Sequence, residues 1–366
     1  MSDTELLQTP FHDWHAANGG RMVEFGGWHM PVQYSTIVEE HNAVRKSAGL
    51  FDISHMGRLR FSGDDDCSFL DYLLTNDVSR LKVGQVRYSL VTNETGGVLD
   101  DVLVYRLPDC YMLVVNASNR TKIVDWIGQH ISKFNVHFED QTLSHAMIAV
   151  QGPRAVEILS ALGAGSASEH RYYSASEMTV AGMTALVSRT GYTGEDGFEL
   201  IVPSDAGMTL WGRVLEAGQA SGLQSCGLAC RDTLRLEAAM PLYGHELNED
   251  TDPLTAGLDF AVKLEAADFI GRDALAKIAE SQPGRVRVGL ELEGKRIARE
   301  TAGILSEDVT VGEVTSGTFS PTLQKSIARG YVERSVSETG TEVEVDIRGK
   351  RHAARIVDLP FYKRAK

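Results

Sequence analysis

Two successive aspartates, Asp100 and Asp101, interrupt an otherwise apolar run, Val98-Leu99-Asp100-Asp101-Val102-Leu103-Val104-Tyr105. The run is short and rich in Val and Leu, which predicts a strand, and Asn93-Glu94-Thr95-Gly96-Gly97 before it reads as a turn. Neighbouring strand side chains point to opposite faces. Val98, Asp100, Val102 and Val104 therefore share one face, and Leu99, Asp101, Leu103 and Tyr105 the other. Whichever face is buried carries a carboxylate among hydrocarbon, and burying a charge without a partner costs several kcal/mol. The plain alternative is an edge strand with one aspartate in water and the other capping a backbone amide.

At 366 residues the chain exceeds one ordinary core, which predicts about two or three domains. Hydrophobic content of 43% and charged content of 23% are those of a globular protein, and no apolar stretch approaches the roughly 20 residues of a membrane helix. A net charge of -14 argues against broad binding to nucleic acid or anionic membrane, whose field repels such a surface. The opening residues Met1-Ser2-Asp3-Thr4-Glu5 lack the basic start and apolar block of a secretory signal, so a cytoplasmic location is expected. Of the four cysteines, Cys67, Cys110, Cys226 and Cys230, only the last two are close; their spacing suits one helix face without the second pair of a zinc site, and all four read as reduced thiols.

Helical and strand signals alternate irregularly, which favours an α+β architecture over a doubly wound sheet. Ser118 precedes Ile123, Ile127, Ile131 and Phe134, predicting a capped amphipathic helix; Ser204-Asp205 opens another with Met208, Trp211, Val214 and Leu215 along its stripe. Asp64-Asp65-Asp66 ahead of Phe69, Leu70, Leu73 and Leu74 is a helix opening favoured by the macrodipole rather than a metal site. After about residue 283 short strands take over, at 286–292, 311–315, 327–332, 343–347 and 353–357, predicting a small closing β-barrel.

Strand-like Ala185-Leu186-Val187 leads through Ser188-Arg189-Thr190-Gly191-Tyr192-Thr193-Gly194-Glu195-Asp196-Gly197 into a second strand, where Glu199 faces away from Phe198 and Leu200. A carboxylate there can accept from two parallel N–H donors, the pattern of a guanidinium or of a 2-amino-4-oxo pterin ring; an ordinary arginine is the plain partner. The segment from Cys226 to Glu237 reads as a helix with Arg231 and Arg235 one turn apart, either of which can pair with Asp232 or Glu237 at the surface. Nucleophilic readings fail: with Phe51 to Met56 extended, Ser54 and His55 point to opposite faces and form no relay. None of the eleven histidines shows the spacing of a zinc enzyme, and His245-Glu246 lacks the required second His. Trp14, Trp28 and Phe25 with Gly26-Gly27 form an aromatic entry that reads as core or as a stacking surface.

Together these residues resemble the T protein of the glycine cleavage system, a tetrahydrofolate-dependent aminomethyltransferase. The resemblance spans nearly the whole chain: Thr9-Pro10, Gly26-Gly27-Trp28-His29-Met30-Pro31, Phe51-Asp52-Ile53-Ser54-His55-Met56, the stretch from Gly96 to Asp101, Gln151-Gly152-Pro153, Arg189 to Glu199, Arg231 to Glu237 and Ser316-Gly317-Thr318-Phe319-Ser320-Pro321. It implies a three-domain cloverleaf around a central folate-binding hole, with a discontinuous first domain (1–51 and 143–240), a second (52–142 and 241–282) carrying the catalytic aspartate, and a C-terminal barrel (283–366). On that pattern Asp101 is catalytic, and Glu199, Arg231, Tyr88, Asn119, Tyr172 and Tyr192 bind the folate. Cys230 departs from a usual alanine and Phe260 from a common tryptophan.

The implied reaction moves an aminomethyl group from the sulfur of a lipoyl arm to tetrahydrofolate, a co-substrate, with loss of ammonia and formation of the 5,10-methylene form; no metal is required. The lipoyl carrier (H) protein is the implied partner, with neither nucleic acid nor membrane. Lys295-Arg296-Ile297-Ala298-Arg299 is one basic cluster that reads as a solvated turn or as a dock for an acidic carrier or the folate glutamate tail. Two rivals share the scaffold, a folate-dependent demethylase of a methylated sulfur or nitrogen compound and a non-catalytic folate-binding protein of iron-sulfur cluster maturation. The latter carries a cysteine where Arg189-Thr190-Gly191-Tyr192 has none.

Overall fold

The structure, a computed structural model, describes residues 5–364. Met1 to Thr4, part of the N-terminal reading above, lie outside the described residues. The chain forms two compact units that interleave in sequence: one takes residues up to 70, 78–88 and 102–231, the other 71–77, 89–101 and 232 onward. No helix is long and apolar enough to cross a membrane among the described residues.

The first unit is built on a six-stranded sheet ordered Ala175–Val180, Met183–Ser188, Gly197–Pro203, His145–Gln151, Ala48–Asp52, Leu223–Ser225. All neighbours are antiparallel except Leu223–Ser225 beside Ala48–Asp52. Leu50, Ile148, Val150, Phe198 and Leu200 form its core with Phe11, Leu210, Trp211 and Val214. The last three lie on the helix Ser204–Gly218, as the sequence predicts, but its buried stripe runs through Gly207, Leu210, Trp211 and Val214 while Met208 is exposed. Met208 sits just past the edge of the apolar arc, which a tryptophan and a leucine already fill.

A five-stranded sheet runs in the order Val86–Thr92, Val98–Arg106, Tyr111–Val115, Gly57–Ser62, His137–Asp140. Its helix Asp66–Leu73 opens behind the three aspartates as expected. Asp65 accepts from the Asn135 amide at 2.8 Å, tying the helix start to a distant segment, and Asp66, the first helical residue, accepts from the Cys67 amide at 2.6 Å. The helix after Ser118 differs from expectation. Ala117–Asn119 is a 3-10 turn that runs directly into Arg120–His130, so Ser118 is inside the turn rather than a cap. Ile123 and Ile127 are buried, whereas Ile131 and Phe134 fall in and after a second 3-10 turn and are half-buried.

The second unit contains the closed barrel, in the order Arg285–Leu292, Lys325–Glu333, Val309–Ser320, Gly303–Ser306, Glu342–Ile347, Lys350–Val357. All five expected strands are present. Gly303–Ser306, four residues long and too short to show an alternation, is the one the sequence conceals. Val288, Leu290, Ile304, Val314, Val332, Val345 and Ile356 fill the interior.

Two buried glutamates explain the Ser316 to Pro321 motif. Glu237, last residue of the helix Leu228–Glu237, accepts from the Ser320 hydroxyl at 2.5 Å and from the Thr322 amide and hydroxyl at 3.1 and 2.8 Å, capping the turn after Val309–Ser320. Glu246 accepts from Arg235 Nη1 at 2.8 Å, the Leu242 amide at 3.0 Å and the Thr315 hydroxyl at 2.7 Å, with Arg329 Nη1 at 3.8 Å. Arg235 also donates to Ser316 at 2.9 Å. It is thus buried rather than at the surface, although the expected pairing with Asp232 forms at 2.8 Å.

Candidate functional site

The strand Val98–Arg106 carries both aspartates, as the short run rich in Val and Leu predicts. Asp100 shares the fully buried face with Val98, Val102 and Val104 and is itself wholly buried; Asp101, on the face of Leu99 and Leu103, is partly accessible. Neither lies in open water, so the edge-strand alternative does not hold. The entry is tightly held. Asn93 Oδ1 accepts from the Thr95 amide at 3.0 Å, its hydroxyl at 2.7 Å and the Gly97 amide at 2.9 Å, while the Val98 amide donates to both Asn248 O and Thr251 O at 3.1 Å. A Cβ on Gly97 would meet Glu249 O at 1.7 Å, so only glycine fits beside that backbone.

The six folate-binding candidates all lie in the first unit. Glu199 is the centre of the best-defined group. Its strand Gly197–Pro203 pairs with Met183–Ser188 so that Glu199 faces Ser188, and it is buried. The Thr190 hydroxyl donates to Glu199 Oε2 at 2.5 Å and lies 2.7 Å from the Ser188 hydroxyl, which is 3.4 Å from that of Tyr105. Burial pushes the Glu199 carboxyl above its ordinary value, and the Thr190 hydrogen bond and the Arg231 charge pull only part of the way back. Arg231, on the helix Leu228–Glu237, stacks over the Tyr192 ring at 4.8 Å. Burial lowers the pKa of its guanidinium, which Glu199 and Tyr192 offset, and its Nη1 is buried without a hydrogen-bond partner. Carboxylate and guanidinium thus sense each other without closing an ion pair, leaving acceptor capacity on one and a donor on the other.

The loop between Ser188 and Glu199 is fixed from three sides. Arg189 grips Asp196 with two parallel bonds, Nε to Oδ1 at 2.9 Å and Nη2 to Oδ2 at 2.6 Å. Arg45 donates to Thr193 O at 2.7 Å and Glu195 Oε1 at 3.0 Å. Gln151, buried at the end of His145–Gln151, donates to Thr190 O at 3.0 Å and accepts from the Thr193 hydroxyl at 3.0 Å. A Cβ on Gly191 would come within 1.9 Å of Gln151 Oε1, which explains why the loop is glycine there. Thr190 and Gln151 are the residues whose roles sequence reasoning missed. The only available signal was the proximity of Thr190 to Glu199 across a glycine-rich reversal.

The remaining candidates are more dispersed in character. Tyr88 is half-buried on Val86–Thr92, Asn119 is buried at the end of its 3-10 turn, and Tyr172 is exposed with its ring edge-on to Tyr173 at 4.8 Å. Ser54 and His55 form no relay. The strand ends at Asp52 and the chain turns, so Ser54 is not extended; its amide donates to Asp52 Oδ1 at 2.8 Å and its hydroxyl to Met147 O at 3.1 Å. His55 is buried with Nδ1 unpartnered, and burial holds its pKa down at about 4, so the ring is neutral. Asp52 instead accepts from His15 Nε2 at 3.0 Å, whose Nδ1 is 2.7 Å from the Tyr34 hydroxyl. Of the aromatic entry, Trp28 is core, Trp14 packs on Trp211 at 5.1 Å, and Phe25 is exposed with its ring edge-on to His55. His245 pairs with Glu300 at 3.3 Å. All four cysteines are free thiols.

The GCVT N-terminal domain model matches residues 11–266, and the glycine cleavage T-protein C-terminal barrel domain model matches 285–363. The chain belongs to the glycine cleavage T-protein family. Its similarity to named T proteins runs end to end: it is 49% identical to an aminomethyltransferase of Symbiobacterium thermophilum over 366 residues, covering 98% of each chain. Identity is 46% to an aminomethyltransferase of Desulfitobacterium hafniense, with 99% of each chain covered, and 46% to one of Streptomyces coelicolor, with 100% of each. Among solved structures, the glycine cleavage system aminomethyltransferase T from Bartonella henselae superposes with a TM-score of 0.92 at 35% identity, over 98% of this chain and 99% of that one. The α+β class and closed C-terminal barrel expected of a T protein are both present.

Proposed function

We propose that this T protein transfers the one-carbon unit of an S-aminomethyl-dihydrolipoyl carrier protein to tetrahydrofolate, releasing ammonia and forming 5,10-methylenetetrahydrofolate. It is an aminomethyltransferase of the glycine cleavage system, and the full-length similarity to proteins of that name favours this reaction over demethylation or folate binding without turnover. The carrier is the H protein of that system. The two interrupted domains ahead of the barrel, 1–51 with 143–240 and 52–142 with 241–282, are retained as the functional division.

The folate assignment rests on one observation, the incompletely neutralised pair of Glu199 and Arg231. Glu199 Oε2 is held by Thr190, and the carboxyl, raised by burial, gains most from donors that reach its remaining lone pairs. The 2-amino group and ring N–H of a reduced pterin present two such donors in parallel, and the stacked Arg231 with a free Nη1 supplies the donor that a pterin carbonyl needs. Tyr88, Asn119, Tyr172 and Tyr192 complete the proposed folate set. Asp101 is the proposed catalytic carboxylate: partly accessible on a rigid strand, it can meet a substrate, whereas Asp100 is sealed in the core. As the folate nitrogen attacks, cationic character develops on the one-carbon unit and the nitrogen loses a proton. A carboxylate in a site of low dielectric stabilises the charge and assists the proton. Positioning of folate and lipoyl arm together adds several kcal/mol where the fit is good. The deciding experiment is an assay with tetrahydrofolate and aminomethyl-loaded carrier against tetrahydrofolate and methylated small molecules. Ammonia and 5,10-methylenetetrahydrofolate from the first mixture alone are expected; turnover of the second alone rejects the proposal.

A further inference from the structure

Outside the residues assigned above, the carboxylate of Glu40 and the thiols of Cys226 and Cys230 converge. One ligand atom from each lies within 4.8 Å of the other two, and all three side chains are buried. They come from three places in the first unit: Glu40 from the helix Ile37–Lys46, Cys226 from the residue following the strand Leu223–Ser225, and Cys230 from the first turn of Leu228–Glu237. The helix starts two residues after Cys226, so the two thiols meet through a bend rather than on one helix face. The third ligand, 186 positions from Cys226, is invisible to a search by spacing.

Glu40 is the unusual member. It is fully buried, and no Lys, Arg or His pairs with it among the described residues. Its oxygens accept from three backbone amides, Oε1 from Tyr34 at 2.6 Å and Ser35 at 2.9 Å, and Oε2 from Gly227 at 2.8 Å, and the Cys230 thiol is hydrogen-bonded to the same carboxylate. Buried carboxylates are as a rule balanced by a cationic side chain or by a metal ion. The three amides use three of the roughly four lone-pair directions of a carboxylate, and the remaining one is directed at the Cys230 thiol, whose proton a metal ion would replace.

We propose that Glu40, Cys226 and Cys230 form a binding site for a thiophilic divalent cation of the zinc and cadmium class. Tetrahedral zinc with metal–sulfur bonds of about 2.3 Å and metal–oxygen bonds of about 2.1 Å sets its ligand atoms roughly 3.5–3.8 Å apart, a separation the cluster meets by side-chain rotation. The fourth position falls to water or to Gly227 O, which lies 3.3 Å from Cys230 Sγ. Charge balance favours occupation. Without the ion, two neutral thiols and one carboxylate carry a net charge of -1; the ion enters as M²⁺, each S–H bond breaks and gives its proton to solvent, two metal–sulfur bonds form, and the net charge is again -1. The interior therefore accepts a metal without accepting additional charge. Cys230 immediately precedes Arg231, so an ion here braces the turn from which the guanidinium projects.

The test uses the full chain, stripped with a chelator and titrated with Cd²⁺ in weakly buffered solution. One Cd²⁺ per chain, a sulfur-to-cadmium charge-transfer band in the ultraviolet and release of two protons are expected, with Zn²⁺ displacing the signal. Cys230→Ala should remove the band and weaken binding at least tenfold; should that variant fail to fold, Cys226→Ser, which preserves volume, makes the same comparison. Absence of the band at stoichiometric Cd²⁺, or its persistence in these variants, which would place the metal elsewhere, overturns the site.

Discussion

Replacing Glu246 with glutamine tests whether the buried charge cluster in the second unit is held together by its carboxylate. Glu246 and Arg329 have no exposed surface and Arg235 almost none. Burial alone would push the Glu246 carboxyl up; the Arg329 and Arg235 guanidinium groups outweigh it and hold the carboxyl down at about 2, from 4.5. That difference of 2.5 units corresponds to about 3.4 kcal/mol of stability at neutral pH, at 1.36 kcal/mol per unit. Glutamine removes the charge that both guanidinium groups face; with its oxygen kept toward Arg235 Nη1 and the Leu242 amide, its N–H₂ is set against the Thr315 hydroxyl, which donates to Glu246 in the parent. Breaking one partner of a buried ionic cluster costs roughly 3–5 kcal/mol, in agreement with the titration figure. Because the folded pKa is depressed, the stabilisation is complete above pH 4.5 and is lost as pH falls toward 2. At pH 3.5 about 1.4 kcal/mol of it is gone. Urea unfolding of both proteins at pH 7 and pH 3.5 therefore should show a gap of about 3–5 kcal/mol that narrows by about 1.4 kcal/mol in acid, with the m value unchanged. A gap below 1 kcal/mol at pH 7, or one of equal size at both pH values, refutes the reasoning.

Glu199→Gln presents one acceptor oxygen in place of two and loses the charge, so tetrahydrofolate affinity should fall by about 2 kcal/mol, roughly thirtyfold, in a fluorescence or calorimetric titration; unchanged affinity removes Glu199 from the folate site. Asp101→Asn should leave folate affinity within about tenfold while turnover drops by about 10² or more, and near-normal rates would strip Asp101 of its role. His55 is kept neutral in the fold with a pKa near 4 against 6.5 when free, so the unfolded chain binds the extra proton between those values and stability declines by up to about 3 kcal/mol as pH falls from 6.5 to 4. A His55→Gln variant with the same pH slope as the parent across that window would show that another group is responsible.

The strand carrying Asp100 and Asp101 was legible because the run is short and rich in Val and Leu behind a glycine turn, and so was the barrel, whose short strands are separated by turns. What the sequence concealed depends on distance. Nothing near Arg235 reveals that Glu246 and Ser316 will enclose it, and an arginine flanked by Asp232 reads as a surface pair. The cap expected at Ser118 failed for a local reason, since a 3-10 turn absorbs the residues ahead of Arg120 and moves the helix start. The extended reading of Phe51 to Met56 failed because Asp52 accepts its own chain's Ser54 amide, a turn-forming bond that competes with the strand. Gln151 belongs to a motif of the resemblance, but its role was hidden because a glutamine at a strand end carries no periodic signal of the Thr190 and Thr193 bonds it makes.

The buried glutamates of this T protein differ in what completes them, and that difference supports placing the ligand at Glu199. Glu246 has two guanidinium partners and a depressed pKa; Glu237 has two hydroxyls and an amide supplied by a single turn. Glu40 takes three amides and, on our proposal, a metal ion. Glu199 takes one hydroxyl, its nearby arginine stops short of an ion pair, and its carboxyl is the one raised by burial. A fold that satisfies its other interior carboxylates this fully has the means to satisfy Glu199 as well. Leaving it short costs stability in the free protein, and on the proposed assignment a bound pterin would return that cost as affinity by supplying the missing donors. The same reasoning explains the rigid clamps at Arg189, Arg45 and Gln151. An under-satisfied carboxylate beside a loose loop would turn to solvent, so the loop must be held for the deficit to persist, whichever ligand fills it.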